Sequence, residues 1–239
     1  MNFAGKCVVI TGAGRGIGKA TALKLAKNGA SVVLCDMNEE TIKAAEAEIR
    51  LITPNVISCV CDVTDKAAVD HMVEKAKSEF GKIDILINNA GIYNTHDLFV
   101  DSSPEVWKKM MDINILGTMY PTYKVLPGMI EQRYGRIINL GSVAGVYGLT
   151  THVDYSASKG AILSFTKALA KEVTEYGITV NAVSPGNIAV GDYDLPDYSF
   201  AGRSGTPEEC AEVIVFLASD EASYVSGQNY IVDGCRKKM

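Results

Sequence analysis

Close to its start the chain reads Thr11-Gly12-Ala13-Gly14-Arg15-Gly16-Ile17-Gly18, directly after a β-branched run at 7–11 and directly before a helical pattern. Glycines between a strand and a helix let the backbone turn sharply and approach an anion that lies on the helix N-terminus. Because Ile17 stands where the third glycine of G-x-G-x-x-G belongs, the stretch fits T-G-x-x-x-G-x-G instead. The turn therefore predicts a pyrophosphate site, with ordinary turn chemistry as the alternative.

Short apolar runs alternate with segments in which apolar residues recur every three or four positions. The runs lie at 7–11, 31–35, 56–61, 83–87, 135–140, 178–183 and 229–232. Repeated strand, helix, strand is typical of a parallel sheet with helices on both faces, and continuous apolar runs indicate strands that are covered on both sides. We predict an α/β protein with a doubly wound (Rossmann) parallel sheet of seven strands, in which residues 1–239 form a single domain.

Composition excludes several classes of protein. The 23 Lys and Arg residues against 28 Asp and Glu give a net charge of −5, which removes the attraction that nucleic acids and acidic membranes rely on. No apolar run is long enough to cross a membrane, and the first residues lack the pattern of an export signal. The six cysteines and three histidines show neither a C-x-x-C pair nor metal-ligand spacing. We expect a cytoplasmic protein with no nucleic-acid partner, no membrane partner and no metal.

Asp36 lies 18 residues after Gly18, at the end of the second predicted strand. An acidic residue at that place hydrogen-bonds the ribose hydroxyls of NAD and repels the 2′-phosphate of NADP. Arg15 in the glycine turn is the counter-argument, since its charge suits a 2′-phosphate. We expect the carboxylate to dominate and predict NAD as the cofactor, with NADP as the weaker alternative; the other interpretation of Asp36 is a cap for the next helix.

A phenol and an ammonium group lie four residues apart at Tyr155 and Lys159, on one face of a predicted helix. Tyr120 and Lys124 have the same spacing, so the spacing alone indicates little. Ser142 distinguishes the pair at Tyr155 and Lys159 from the other pair. It follows the end of a predicted strand, which is where open α/β sheets bind their ligands.

These motifs together resemble those of the short-chain dehydrogenase/reductase family over nearly the whole chain. The residues that carry the resemblance are Thr11 to Gly18, Asp62-Val63, Asn88-Asn89-Ala90-Gly91, Asn114, Ser142, Tyr155 with Lys159, Asn181 and Pro185-Gly186. The resemblance implies hydride transfer between a nicotinamide and a carbinol carbon, which needs a general acid or base at the oxygen.

The resemblance also implies a role for each matching residue. Tyr155 would be the acid or base, Lys159 would lower its pKa and hold the nicotinamide ribose, Ser142 would bind the substrate oxygen, and Asn114 would anchor a water relay. An unperturbed phenol is too weak a base at neutral pH, so we expect the pKa of Tyr155 to be lowered. The implied cofactor-binding residues are Gly12, Arg15, Gly16, Ile17, Gly18, Asp36, Asp62, Val63, Asn88, Ala90, Gly91, Tyr155, Lys159, Pro185, Gly186 and Ile188.

The segment 187–206 departs from the family pattern. Val190 stands where the family usually has a threonine that binds the cofactor, and the segment is shorter than the usual lid over the substrate. We expect this shortened substrate loop to leave the pocket open, and its acidic residues to disfavour acidic substrates. The acidic and aromatic residues of the loop, and further pocket candidates outside it, are Asp192, Asp194, Asp197, Tyr193, Tyr198, Phe200, Tyr93, His96, Tyr147 and His152.

Three functions are compatible with the sequence. The favoured one is an NAD-dependent dehydrogenase of a small neutral alcohol or ketone, such as a polyol or sterol. The alternatives are a 3-oxoacyl-[acyl-carrier-protein] reductase that uses NADPH and a dinucleotide sensor without catalysis. The family resemblance further implies a homotetramer, with helix contacts from 104–130 and 155–176.

Overall fold

The computed structural model describes residues 1–93, 98–190 and 198–237. Seven parallel strands form one sheet in the order β3-β2-β1-β4-β5-β6-β7. The strands are β1 (Cys7–Thr11), β2 (Ser31–Asp36), β3 (Val56–Val60), β4 (Ile85–Asn88), β5 (Gly135–Leu140), β6 (Ile178–Pro185) and β7 (Asn229–Val232). The predicted seven-stranded parallel sheet is confirmed.

Helices follow the strands in alternation. They are α1 (Gly16–Lys27), α2 (Glu39–Arg50), α3 (Lys66–Phe80), α4 (Pro104–Met111), α5 (Gly117–Glu131), α6 (Val143–Tyr147), α7 (Val153–Val173) and α8 (Pro207–Ala218), with a π-helical turn at Asp112–Leu116 between α4 and α5. Polar side chains satisfy free N–H groups at several helix starts, as Asp65 does for α3 and Ser103 does before Pro104 in α4. None of the described helices is long and apolar enough to span a bilayer.

Each face of the sheet has its own core. Alternate residues of β1 point to opposite sides, so Val8 joins a cluster with α1, α2 and α8, whereas Val9 joins a cluster with α3, α5 and α7. Leu25 of α1 and Met72 of α3 are fully buried, one in each cluster. Burying such a side chain stabilises the fold by about 1.5–3 kcal/mol. Both faces are therefore covered, as the continuous apolar strands predicted.

The order of the strands reverses between β1 and β4. From β1 the chain moves outward through β2 and β3, then returns to pair β4 with the other side of β1. The loops after β1 and β4 therefore diverge and leave a crevice at the carboxyl ends of the strands, where sheets of this kind bind their ligands.

Several strand boundaries differ from the sequence prediction. The second and sixth strands continue to Asp36 and Pro185, because both residues still pair with a neighbouring strand. The third strand ends at Val60. The fourth begins at Ile85, since the buried carboxylate of Asp84 accepts a hydrogen bond from the N–H of Cys7 (2.9 Å) just before the ladder starts.

Candidate active site

The glycine turn between β1 and α1 is built for close backbone approach. Gly12 and Gly16 have φ values of +62° and +55°, where a side chain would be strained. A Cβ at Gly18 would lie 2.3 Å from the carbonyl oxygen of Gly12, and one at Gly14 would lie 2.5 Å from Oγ1 of Thr41. The turn thus presents the first N–H groups of α1 at the crevice, and these favour an anion.

A cavity of about 1010 Å³ begins at this turn and follows the ends of the first strands. Its lining includes nine of the predicted cofactor-binding residues, which are Gly12, Arg15, Gly16, Ile17, Asp36, Asp62, Val63, Ala90 and Gly91. Val190, in the loop after β6, also lines it. Gly18 does not line the cavity; it allows α1 to pack against the turn. The volume, the anion-binding turn and the carboxylate of Asp36 fit a dinucleotide.

Asp36 faces the glycine turn. Its Oδ2 accepts a hydrogen bond from the N–H of Gly14 (3.1 Å), and its Oδ1 accepts one from the N–H of Asn38 (3.0 Å). Asn38, rather than Asp36, caps α2, since its side chain accepts from the N–H of Thr41 (2.9 Å). The interpretation of Asp36 as the helix cap is therefore wrong, and its carboxylate lies on the wall of the cavity.

Asn88 is not brought to the cavity. Its amide donates to Oγ1 of Thr122 and to Oδ1 of Asn139, both at 2.9 Å, inside the core. The next residue, Asn89, lines the cavity instead, and its amide donates to the carbonyl oxygens of Thr11 and Gly12. The side chains of the two residues diverge because successive residues of an extended chain point to opposite faces. Cofactor binding by Asn88 stays a prediction.

A second cavity of about 440 Å³ adjoins the first. The two share Ile17, Asn89, Gly91, Ile92 and Val190 in their walls. The smaller cavity is also lined by the predicted residues Ser142, Tyr155, Lys159, Pro185, Gly186 and Ile188. These come from the ends of β5 and β6 and from α7, so residues distant in sequence converge on one space.

Tyr155 lies between an aromatic neighbour and a hydroxyl. Its ring meets that of Tyr93 edge to face, with centroids 4.9 Å apart. Desolvation raises the pKa of the phenol, while a hydrogen bond with Ser142 lowers it by less and Tyr93 adds to the rise. The expected lowering of the Tyr155 pKa is therefore wrong for this structure, because desolvation outweighs the stabilisation of a phenolate. At neutral pH the phenol is protonated.

Lys159 is buried one helical turn after Tyr155. Its ammonium group donates to the carbonyl oxygen of Leu140 (2.8 Å) and lies 5.9 Å from the centroid of the Tyr155 ring. Desolvation lowers the pKa of Lys159 from 10.5 to about 8. The two groups face the same cavity, but Leu140 takes the hydrogen bond of the ammonium group.

Asn114 lies in the π-helical turn, a feature often found at functional sites. Its Oδ1 accepts from the N–H of Ile92 (2.8 Å), and its amide donates to Oγ of Ser158 (3.0 Å). A Cβ added to Gly91 would lie 3.1 Å from this Oδ1 and 3.4 Å from Nζ of Lys159. Asn114 thus joins α7 to the loop after β4, close to the lysine.

The loop after β6 is held beside the second cavity. Ile188 forms a β-bridge with Gly205, and the N–H of Ala189 donates to the carbonyl oxygen of Gly205 (2.9 Å). Val190 then reaches the glycine turn, where a Cβ at Gly16 would lie 3.4 Å from it. An apolar contact occupies the place where a threonine hydroxyl was expected from the family pattern.

Only some of the further pocket candidates lie at the second cavity. Tyr93 lines the second cavity, and its ring stacks on buried His152 with centroids 4.9 Å apart. Tyr147 is exposed and does not line the cavity. His96, Asp192, Tyr193, Asp194 and Asp197 lie outside the described residues.

Sequence reasoning missed Arg236 and Ser204, which line the second cavity. No motif marks either residue, because both reach the cavity only through the folding of segments that lack periodic patterns. Within the described ranges, no group of three or more His, Cys, Asp or Glu side chains could hold a metal ion.

Comparisons with known proteins agree with this geometry. The family model for short chain dehydrogenase matches residues 6–193. The 3-oxoacyl-[acyl-carrier-protein] reductase FabG of Thermotoga maritima is 42% identical and covers 98% of this chain and 98% of its own. L-fucose dehydrogenase of Bos taurus is 36% identical over 97% of this chain and 89% of its own length. The crystal structure of levodione reductase has a TM-score of 0.93 at 33% identity, with 98% of each chain covered.

Proposed function

This chain belongs to the short-chain dehydrogenase family, and on that premise we propose that it reduces the 3-oxo group of a 3-oxoacyl compound to a secondary alcohol. Oxidoreduction at ketone and CH–OH groups follows from the family. The 3-oxoacyl class is favoured because 3-oxoacyl-[acyl-carrier-protein] reductases from several bacteria, including Escherichia coli at 38% identity, match nearly the whole chain. This reverses the expectation from the sequence, which favoured a neutral polyol or sterol.

The observation that carries the proposal is the convergence of Ser142, Tyr155 and Lys159 on one cavity that adjoins the dinucleotide-sized one. A nicotinamide held there supplies the hydride. The ketone oxygen then needs a proton at the same time, and a protonated phenol is the form that gives one. The raised pKa of Tyr155 keeps the phenol protonated at neutral pH and so supports this acid role.

Ser142 and Lys159 assist the proton transfer in different ways. The Ser142 hydroxyl hydrogen-bonds the Tyr155 side chain, so it lies where it can also bind the ketone oxygen. The ammonium group of Lys159 favours the phenolate that remains after the proton has left. We propose that Asn114 keeps Lys159 in place, since it anchors the loop against which the ammonium group lies.

We propose NADH, rather than NADPH, as the hydride donor. The carboxylate of Asp36 lies on the cavity wall, where it suits ribose hydroxyls and opposes a 2′-phosphate. Arg15 lines the same cavity and is the reason to test the proposal directly. Asp36→Ala is expected to reduce the ratio of kcat/KM for NADH to that for NADPH by about 10- to 100-fold, and a wild type that is already faster with NADPH would refute NADH.

A second candidate is the NAD-dependent oxidation of a neutral secondary alcohol. Asp36 favours it, because NAD is the usual partner of dehydrogenation, and L-fucose dehydrogenase is among the relatives. Steady-state rates with acetoacetyl-CoA, ethyl acetoacetate, L-fucose and a panel of polyols, each with both cofactors, separate the two. Turnover of L-fucose or a polyol at a higher kcat/KM than either 3-oxo compound would favour this candidate.

We also propose that the protein is a homotetramer. A groove of about 500 Å³ between α3, α5 and α7 exposes Met119 and Tyr123. Apolar side chains such as Leu116 and Phe165 line much of it, and Lys66, Asp70 and Lys124 add charges to its wall. An exposed apolar groove of this kind is typical of a protein–protein contact. Light scattering is expected to give four chains; a monomer would refute the proposal.

A further inference from the structure

We propose that Arg236 binds an anionic group of the substrate. The inference rests on the proposed function, because it concerns the same reaction cavity. Arg236 lines the cavity that also contains Ser142, Tyr155 and Lys159, although it lies in the segment after β7 and in none of the family motifs. An arginine at this place would select substrates by charge, which neither Ser142 nor Tyr155 can do.

The backbone around Arg236 is firmly positioned. After β7 the chain turns through Gly234 and Cys235, which have φ values of +61° and +60°, a conformation that is uncommon for a residue with a side chain. The N–H of Cys235 donates to the carboxylate of Asp233 (3.0 Å), which fixes the turn. Arg236 then forms an antiparallel β-bridge with Ser199. The turn therefore directs the chain back toward the cavity.

Hydrogen bonds on both sides of the bridge hold the segment in register. The N–H of Phe200 donates to the carbonyl oxygen of Cys235 (2.8 Å), and the N–H of Lys237 donates to that of Tyr198 (2.9 Å). The guanidinium carbon of Arg236 lies 5.5 Å from the centroid of the Tyr198 ring. A preorganised guanidinium loses less freedom when it binds an anion than a mobile one does.

Arg236 is close to the reacting groups. Its charge lowers the pKa of Tyr93, which desolvation and Tyr198 raise, so the guanidinium is an electrostatic neighbour of that phenol. The ring of Tyr93 in turn contacts the ring of Tyr155. Tyr93 is therefore a neighbour both of the guanidinium and of the group that is proposed to protonate the ketone.

The charge of the cavity wall also favours an anionic substrate. Among the described residues that line the second cavity, Lys159 and Arg236 are cationic and none is Asp or Glu. A guanidinium has five donors, so it can hold a carboxylate or phosphate in a bidentate manner while keeping other contacts. The acidic residues of 187–206 led us to expect neutral substrates, whereas this wall favours an anion.

Two sources could supply the anion. One is the carboxylate of a free 3-oxo acid, and the other is a phosphate of a pantetheine-containing thioester. The position of Arg236 in the same 440 Å³ cavity as Tyr155 favours the carboxylate, which is separated from the ketone by a single carbon, over a phosphate at the far end of a long pantetheine arm.

Three substrates test the inference: acetoacetate, acetoacetyl-CoA and the neutral ethyl acetoacetate. Arg236→Gln is expected to lower kcat/KM for acetoacetate, relative to the ethyl ester, by about 10- to 100-fold, mainly through KM, because it removes a charged hydrogen bond. Arg236→Lys should recover part of the loss, since it restores the charge without the fork. Lys237→Gln is the matched control, because Lys237 is exposed on the same segment beside Phe200.

Each outcome has a defined meaning. A selective loss with acetoacetyl-CoA, rather than acetoacetate, supports Arg236 as the anion site and assigns the anion to the phosphate. Equal losses with all three compounds, or no loss with any, overturn the inference. Reduction of the ethyl ester by the wild type upholds the proposed function in either case, whereas a wild type that reduces none of the three refutes the proposed function and the inference together.

Discussion

Two Tyr-x-x-x-Lys pairs in this chain have the same spacing and different environments. Tyr155 and Lys159 lie on α7 beside Ser142, at the carboxyl end of the sheet, whereas Tyr120 and Lys124 lie on α5, in the groove between α3, α5 and α7. The lysine shows the difference most clearly. Lys159 is 6% exposed and donates to a backbone carbonyl, whereas the side chain of Lys124 is 39% exposed and pairs with Asp70 at 2.6 Å.

The two lysines consequently have opposite pKa shifts. Desolvation lowers the pKa of Lys159 to about 8. A hydrogen bond with Asp70 is the main cause that raises the pKa of Lys124. One lysine is stabilised as a surface cation, and the other is held in a place that disfavours its charge. The motif sets only the distance between phenol and amine; the surrounding fold decides whether the pair can take part in chemistry.

Replacing the two tyrosines should produce the largest difference in kcat between the pairs. Tyr155→Phe is expected to lower kcat for ketone reduction by about 10⁴-fold, because it removes the proposed proton donor. Tyr120→Phe should leave kcat unchanged, since its hydroxyl lies outside both cavities. Steady-state NADH oxidation with ethyl acetoacetate measures both variants. Full activity in Tyr155→Phe would remove the basis for treating the pairs differently.

Replacing the lysines gives the next largest difference. Lys159→Met is expected to lower kcat about 10- to 10³-fold, because a nearby cation shifts a phenol pKa by about one to three units. Lys124→Met should retain wild-type kcat. Cofactor binding, followed by fluorescence quenching, distinguishes loss of chemistry from loss of the ribose contact. Equal activities in the two variants would contradict the assignment.

The two lysines should change the free energy of unfolding in opposite directions as the pH rises. Lys159 has a lower pKa in the folded chain than in the unfolded one, so the unfolded chain binds more protons between pH 8 and 10.5 and stability rises across that window. Relative to Lys159→Met, the wild type should gain about 3 kcal/mol of unfolding free energy from pH 8 to 10.5.

Lys124 should behave in the opposite way. Its raised pKa stabilises the folded chain below its ordinary value of 10.5, and that contribution is lost as the pH rises through the higher folded value. Relative to Lys124→Met, the wild type should therefore lose stability at high pH. Urea unfolding at several pH values measures both differences. A flat difference for Lys159 would show that its ammonium group is not desolvated.

The architecture and much of the site could be predicted from the sequence because their signals are local. The glycines of the turn from Thr11 to Gly18 lie directly between an apolar strand pattern and a helical pattern. Ser142 follows the clear end of another strand pattern. The sequence does not show that the side chain of Asn89, rather than that of Asn88, lines the cavity, since the side on which a residue points depends on the register of the whole strand. The pKa of Tyr155 was misjudged because desolvation is a property of the assembled pocket.

The position of Arg236 could not be predicted from local sequence patterns. It reaches the reaction cavity through a left-handed turn at Gly234 and Cys235 and a bridge to Ser199, and no periodicity records that path. Residues on regular elements are predictable from spacing, whereas residues on irregular segments are positioned by distant partners. Substrate selection is the part of the function that such segments determine.

The smallest expected effects come from replacing a glycine close to each lysine by alanine. Gly91→Ala would place a methyl group 3.1 Å from Oδ1 of Asn114 and 3.4 Å from Nζ of Lys159, so we expect it to displace the lysine slightly and lower kcat/KM about tenfold. Gly128, on α5 after Lys124, has room, since its nearest contact would be Lys77 at 3.7 Å. Gly128→Ala should keep full activity and raise the unfolding free energy by about 0.5–1 kcal/mol, because alanine favours a helix. Steady-state kinetics and urea unfolding of both variants measure these effects. If Gly91→Ala is as active as Gly128→Ala, then Lys159 tolerates displacement, and the close packing around it is not what distinguishes the two pairs.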